Sequence, residues 1–123
     1  MNDIIRKKIL RMLLDTVYTV SSKEYQERVW IKALGPQCDS YDETVCSFFD
    51  AAADVIKNYK EFKLTEYERD ILEEFWTVFD KFHYSDINTC LEQDFIYTPQ
   101  WEYVMKKAQA VIKAFKHKYS WDS

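Results

Sequence analysis

The chain has 123 residues, of which 47% are hydrophobic and 17% aromatic, so it can bury one core and global disorder is excluded. A single Gly and two Pro argue against an all-β fold with its many tight turns and exclude a Gly-rich phosphate loop. The formal net charge of −4 is unfavourable for binding a phosphate backbone over much of the surface.

The first predicted helix is capped by Asn2 or Asp3 and ends at about Tyr18. Charged residues interrupt its apolar ones, so the segment matches neither a signal peptide nor a membrane span. Without an export signal, and with no Cys-x-x-Cys pair among the three Cys, we expect reduced thiols and a cytoplasmic location. The apolar residues near helical spacing are Ile5, Ile9, Leu10, Met12, Leu13, Leu14 and Val17.

The second predicted helix begins with a capping-box spacing. Ser21 precedes Glu24 by three residues, so Ser21 or Ser22 is expected to open the helix. Gly35 followed by Pro36 is a strong helix stop and predicts the end.

Two further capping boxes predict the third and fourth helices. The pairs are Ser40 with Glu43 and Thr65 with Glu68, and the helices run to about Lys60 and about Phe82. Cys46 lies between Phe-rich turns and is expected in the core or at its boundary. The predicted core faces are Val45, Phe48, Phe49, Ala52, Val55, Ile56 and Tyr59 on the third helix, and Tyr67, Ile71, Leu72, Phe75, Val78, Phe79 and Phe82 on the fourth.

Residues 83–97 give the weakest pattern. Ser85 or Asp86 is a candidate cap for one or two helical turns containing Ile87 and Leu91, and the rest is predicted to be a connector.

The fifth predicted helix has Thr98 as its cap and Pro99 as its first residue, and it ends near His117 or Tyr119. Five helices with short connections predict an all-α fold, a compact bundle forming a single domain over residues 1–123.

The charge is unevenly distributed along the chain. Residues 1–36 carry a net +3 and residues 105–123 a net +4. Residues 37–104 carry five Lys or Arg against sixteen Asp or Glu, a net −11. Such a segment indicates either a solvated surface that keeps a small protein soluble or a surface complementary to a basic partner.

Helical periodicity gathers part of this charge on one side of the third helix. At about 100° per residue, five carboxylates fall within one arc, away from the apolar face. They are Asp39, Asp42, Glu43, Asp50 and Asp54. On the fourth helix Asp70, Glu73, Glu74 and Asp80 lie away from the predicted core face.

No motif indicates an active site, so no enzyme activity, cofactor or metal is expected. Asp80 and His83 are three residues apart, and an enzyme that uses this pair is the weakest of the alternatives. Cys38, Cys46 and Cys90 do not have metal-ligand spacing.

Tryptophan is enriched at binding hot spots, so each tryptophan of the chain is a candidate for an interface as well as for the core. Trp30 and Trp101 lie on apolar helix faces and are expected in the core. Trp76 lies at the edge of an apolar arc and is a candidate for partial exposure.

Three blocks go beyond generic helix patterns: residues 27–36 (ERVWIKALGP), 41–50 (YDETVCSFFD) and 98–102 (TPQWE). Together they resemble a family of small bacterial immunity proteins associated with contact-dependent growth inhibition and related polymorphic toxins. The blocks consist of capping and packing residues and carry no catalytic signature. The resemblance implies a cytosolic antidote that binds and blocks the C-terminal toxin domain, often a nuclease, delivered by a neighbouring cell.

The expected function is therefore non-enzymatic inhibition of a basic toxin domain through an acidic helix face, with no nucleic-acid or membrane partner. Tyr41 is the expected aromatic anchor among the carboxylates. The alternative is a small acidic adaptor or regulatory protein, including a nucleic-acid mimic that binds a basic partner. The predicted toxin-binding residues are Asp39, Tyr41, Asp42, Glu43, Asp50, Asp54, Glu73 and Glu74.

Overall fold

A computed structural model describes residues 2–32, 40–85 and 91–115. Within these ranges the regular secondary structure is helical, which confirms the predicted all-α fold. The elements are α1 (Asp3–Ser21), α2 (Lys23–Tyr25), the π-helix π1 (Gln26–Ile31), α3 (Tyr41–Lys57), α4 (Glu66–His83), α5 (Glu92–Phe95) and α6 (Pro99–Phe115). The predicted stop at Gly35-Pro36 and the predicted end near His117 or Tyr119 lie outside the described residues.

The predicted helix caps satisfy the first free N–H groups of their helices. Asn2 Oδ1 accepts from the N–H of Ile4 at 2.7 Å. The Ser40 hydroxyl accepts from Glu43 at 3.3 Å, and that of Thr98 accepts from Trp101 at 3.2 Å.

The capping box before α4 is complete. The N–H of Glu68 donates to the Thr65 hydroxyl at 3.1 Å, and the N–H of Thr65 donates to the Glu68 carboxylate at 2.8 Å. Glu68 is buried in this arrangement. Charged side chains are seldom buried unless they are paired, and the capping box supplies a hydrogen-bond partner for this carboxylate.

Two predicted helix ends differ from the structure. Helix α1 continues past the predicted end at about Tyr18 to Ser21, whose hydroxyl donates back to the carbonyl of Tyr18, and Ser22, one of the two predicted caps, opens α2. The third helix ends at Lys57 rather than at about Lys60, and Asn58 closes it with its own amide. The Ser85 hydroxyl donates to the carbonyl of Phe82 at the end of α4, and the candidate turns around Asp86 and Ile87 lie outside the described residues.

The four long helices share one core. Helix α6 packs against both α1 and α4, and α3 packs against the same two helices. An aromatic cluster fills the centre, where Tyr41 contacts Phe95 edge-on with ring centroids 4.9 Å apart. Trp30 and Trp101 are both buried in this cluster, as predicted, with their ring centroids 5.9 Å apart.

One residue of the predicted core faces lies at the surface instead. Tyr67 is 68% exposed, because the buried face of α4 runs through Glu68 and Leu72 and the preceding position points away from it. Of the apolar residues near helical spacing on α1, Ile5 and Met12 are exposed, since α1 packs through the face that includes Leu10, Leu13, Leu14 and Val17. None of the helices in the described part of the chain combines the length and apolarity that crossing a bilayer requires.

Candidate functional site

Helix α3 separates its two faces sharply. Phe48, Ala52 and Val55 are fully buried against the neighbouring helices. The four described carboxylates of the predicted acidic arc are all exposed: Asp42, Glu43, Asp50 and Asp54. The fifth residue of that arc, Asp39, lies outside the described residues. The periodicity therefore placed these four acidic residues correctly on the outer face.

The exposed carboxylates on α3 take no part in the ion pairs of the described residues. Within residues 2–32, 40–85 and 91–115, none of the four forms an ion pair with Lys or Arg, and Asp54 accepts a hydrogen bond from Asn58 at 2.9 Å. Ion pairs instead involve Asp3, Asp15, Glu24, Asp70, Glu74 and Glu102. Four carboxylates without an ion pair therefore share the outer face of α3. Other exposed carboxylates without an ion pair lie elsewhere in the described part of the chain: Glu61, Glu66, Glu73 and Asp94.

The two predicted site residues on α4 have different surroundings. Glu73 is exposed and lines a hollow between α3 and α4. Glu74 points the other way and forms an ion pair with Lys107 of α6. Glu73 therefore faces a part of α3 that contributes Ala53, Ile56 and Lys57 to the hollow, whereas Glu74 joins two helices.

The prediction that Tyr41 is a surface anchor is wrong. Tyr41 is 2% exposed, and burial raises the pKa of its phenol. Its hydroxyl lies 3.2 Å from Nδ1 of His83. The physical reason is helical phase: Tyr41 precedes Val45 by four residues and so shares the buried face of α3, although it is adjacent to acidic residues in sequence.

A groove runs between α3 and α4 beside these carboxylates, with a volume of about 460 Å³. Its lining residues are Val45, Cys46, Phe49, Asp50, Trp76, Asp80, His83 and Tyr84. Phe49 and Trp76 meet edge-to-face with ring centroids 5.4 Å apart. The groove therefore combines an aromatic wall with two carboxylates, one from each helix. We refer to it as the α3–α4 groove.

Three groove residues bear on the predicted positions of side chains. Cys46 is exposed, so its predicted place in the core or at its boundary is wrong; it belongs to the same arc as the acidic residues. Trp76 is half-buried, which confirms its predicted partial exposure. The carboxylate of Asp80 was not among the predicted binding residues, although its position four residues after Trp76 places both on one side of α4.

The indole N–H of Trp76 is covered, and no hydrogen-bond acceptor meets it among the described residues. The indole of Trp101, by contrast, donates to Gln26 Oε1 at 2.8 Å. A covered donor without an acceptor costs about 1–3 kcal/mol of stability. The indole N–H of Trp76 therefore lowers the stability of the fold, whereas that of Trp101 is satisfied.

In the part of the chain that the structure describes, no three His, Cys, Asp or Glu side chains are grouped so that they could hold a metal ion. Asp80 and His83 both line the α3–α4 groove, and His83 Nδ1 faces the hydroxyl of Tyr41. What the groove presents is an aromatic and anionic surface.

Comparison with known proteins adds no relative. The chain matches no protein-family model, no curated protein and no solved structure.

Proposed function

We propose that this chain is an immunity protein that binds a basic toxin domain through the outer face of α3 and the adjoining α3–α4 groove. The observation that carries the proposal is the set of exposed carboxylates on α3 without Lys or Arg partners among the described residues. The inhibitor works in the cytoplasm by occupying the toxin's surface and performs no reaction of its own.

The charge arrangement supports a basic partner. Exposed carboxylates that are already paired have little to offer a second cation, whereas those on α3 keep their full charge toward solvent. A concentrated field of one sign speeds the encounter with a partner of opposite sign and disfavours acidic competitors. A domain that cleaves nucleic acid presents a basic cleft for its substrate, which is the surface complementary to this field.

The local chemistry supports a protein partner in particular. A rim of charge around a partly exposed aromatic residue is the usual composition of a binding hot spot. Trp76 and Phe49 provide that apolar centre, and Asp50 and Glu73 lie beside it. The resemblance of residues 27–36, 41–50 and 98–102 to immunity proteins supports a toxin as the partner.

The proposal predicts a toxin gene immediately upstream, and co-expression with that gene tests it. The wild-type chain should restore growth of cells that make the toxin. A variant with Asp42→Lys, Asp50→Lys and Asp54→Lys should fail to restore growth while remaining folded by circular dichroism. If wild type does not rescue growth, the proposed function is wrong.

A matched control separates the site from the total charge. Glu61, Glu66 and Asp94 are also exposed, and Glu66 stands in the first turn of α4 as Asp42 does in α3. Reversing these three to Lys changes the net charge by the same amount. This control should rescue growth as well as wild type does. Equal loss of rescue in both triple variants would show that only total charge matters.

A further inference from the structure

We propose that the α3–α4 groove seats one arginine side chain of a protein partner, with its guanidinium stacked on Trp76 between the carboxylates of Asp50 and Asp80. This inference rests on the proposed function for the identity of the partner, since the arginine would belong to the toxin domain. The recognition of arginine itself is a property of the groove.

The two helices bring the required groups to one place. Asp50 follows Cys46 by four residues on α3, and Asp80 follows Trp76 by four residues on α4. Residues four apart lie on the same side of a helix, and all four line the same groove. The groove thus has a carboxylate on each wall, and the Trp76 indole lies on the α4 wall with Asp80.

The chemistry favours arginine over other cations. A guanidinium is planar, so it can stack on an aromatic face while its N–H groups donate in the ring plane to carboxylates. An ammonium group is compact and strongly hydrated, and it gains less from a partly apolar groove. The aromatic wall formed by Phe49 and Trp76 supplies that apolar contact.

No Lys or Arg of the described residues occupies the two groove carboxylates, so both can bind a cation from a partner. Neither Asp50 nor Asp80 forms an ion pair with Lys or Arg within the described residues. His83 lines the groove with Nδ1 facing the hydroxyl of Tyr41, and Lys57 borders the neighbouring hollow on the other side of Trp76.

Folding alone does not account for a tryptophan at position 76. Its edge-to-face contact with Phe49 requires only an aromatic ring, which phenylalanine would also provide. The indole N–H has no acceptor among the described residues and lowers stability. Tryptophan, however, is the best cation–π partner among the aromatic side chains, which gives the residue a use in binding.

Nuclear magnetic resonance with two blocked peptides tests the inference. The first is Ala-Ala-Arg-Ala-Ala, and the second replaces arginine with uncharged citrulline of similar shape. In ¹⁵N-labelled protein, the indole signal that disappears in Trp76→Phe reports on the groove. We expect the arginine peptide to shift this signal with saturation in the millimolar range, and the citrulline peptide to bind roughly tenfold more weakly.

Single substitutions locate the binding site. Asp50→Asn and Asp80→Asn should each weaken binding of the arginine peptide several-fold, and the double variant should abolish it. Glu61→Gln removes the same charge from an exposed residue outside the groove lining and should leave binding unchanged. An indole signal that does not move, equal binding of both peptides, or equal loss in Glu61→Gln would overturn the inference.

The outcome is independent of the growth assay. Peptide binding at Trp76 without rescue of growth by the wild-type chain would leave the arginine site standing and reject the toxin partner. Rescue of growth with an unmoved indole signal would reject the arginine site alone.

Discussion

The indole N–H of Trp101 donates to the side-chain oxygen of Gln26 at 2.8 Å, across 75 positions of sequence. The amide nitrogen of Gln26 donates in turn to the carbonyls of Thr19 and Val20, at 3.0 and 2.9 Å. These carbonyls belong to the end of α1, where a helix leaves its last acceptors without internal partners. One buried amide therefore joins α1, π1 and α6 and satisfies all the polar groups it meets.

We expect Gln26→Leu to lower the free energy of unfolding by about 3 kcal/mol, because leucine preserves the volume but leaves two carbonyls and one indole N–H without partners. Urea denaturation followed by circular dichroism measures the loss. Gln109→Leu is the control, since the exposed Gln109 amide also donates to a carbonyl at the end of α1, at 3.2 Å to Ser21. A loss of similar size in both variants would contradict the role given to Gln26.

Tyr41→Phe should keep the ring contacts and lose only the hydrogen bond to His83, at a cost of about 1 kcal/mol. Tyr41→Ala should cost about 3–5 kcal/mol, because it also leaves a cavity in the aromatic cluster. Thermal unfolding compares the two variants. Because Tyr41 is buried, Tyr41→Phe should rescue cells from the toxin as well as wild type does; loss of rescue in this folded variant would restore a direct binding role for the hydroxyl.

Replacement by Phe should affect stability differently at Trp76, whose indole N–H has no acceptor among the described residues, and at Trp101, whose indole N–H is hydrogen-bonded. Trp76→Phe removes a covered donor that has no acceptor within the described residues, so stability should remain within about 0.5 kcal/mol of wild type or increase. Trp101→Phe removes a satisfied donor and leaves a void, and should cost about 2–3 kcal/mol. The midpoints of urea denaturation of both variants and of wild type measure these changes in stability. A larger loss for Trp76→Phe would mean that Trp76 is chiefly a structural residue.

Asp50→Asn should leave stability unchanged or raise it by about 0.3 kcal/mol at low salt. The substitution breaks no ion pair and removes the repulsion between this carboxylate and the other carboxylates on α3. The gain should fall in 1 M salt, where surface charges are screened. Glu74→Gln should instead lower stability slightly, because it breaks the ion pair with Lys107. Chemical denaturation at two salt concentrations separates these effects, and a clear loss in Asp50→Asn would point to a partner for this carboxylate within the chain.

The parts of the fold that depend on neighbouring residues in sequence could be predicted. The Thr65–Glu68 capping box and the Thr98–Pro99 start of α6 involve residues within one helical turn, so their chemistry is visible in the sequence. The π-helix Gln26–Ile31 could not be predicted in this way. Its first residue is held by groups on α1 and α6, and these contacts exist only after the helices have packed.

In the candidate site, too, features set by local sequence could be predicted, and features set by helix packing could not. The outer face of α3 follows from the period of a helix, and Asp42, Glu43, Asp50 and Asp54 are exposed as that period predicts. Tyr41 is adjacent to an acidic residue in sequence, but its helical phase, four residues before Val45, places it on the buried face of α3. The α3–α4 groove requires knowledge of which side of α4 faces α3, which local patterns do not contain.

The division of α3 into a buried face and an outer face has an evolutionary consequence. Under the proposed function, substitutions at its outward positions would change what the surface recognises without disturbing Phe48, Ala52 or Val55, which are buried on the other side. Related chains could therefore exchange one partner for another through a few outward changes on a constant scaffold. The same property makes this helix a practical place to graft a new recognition surface in the laboratory.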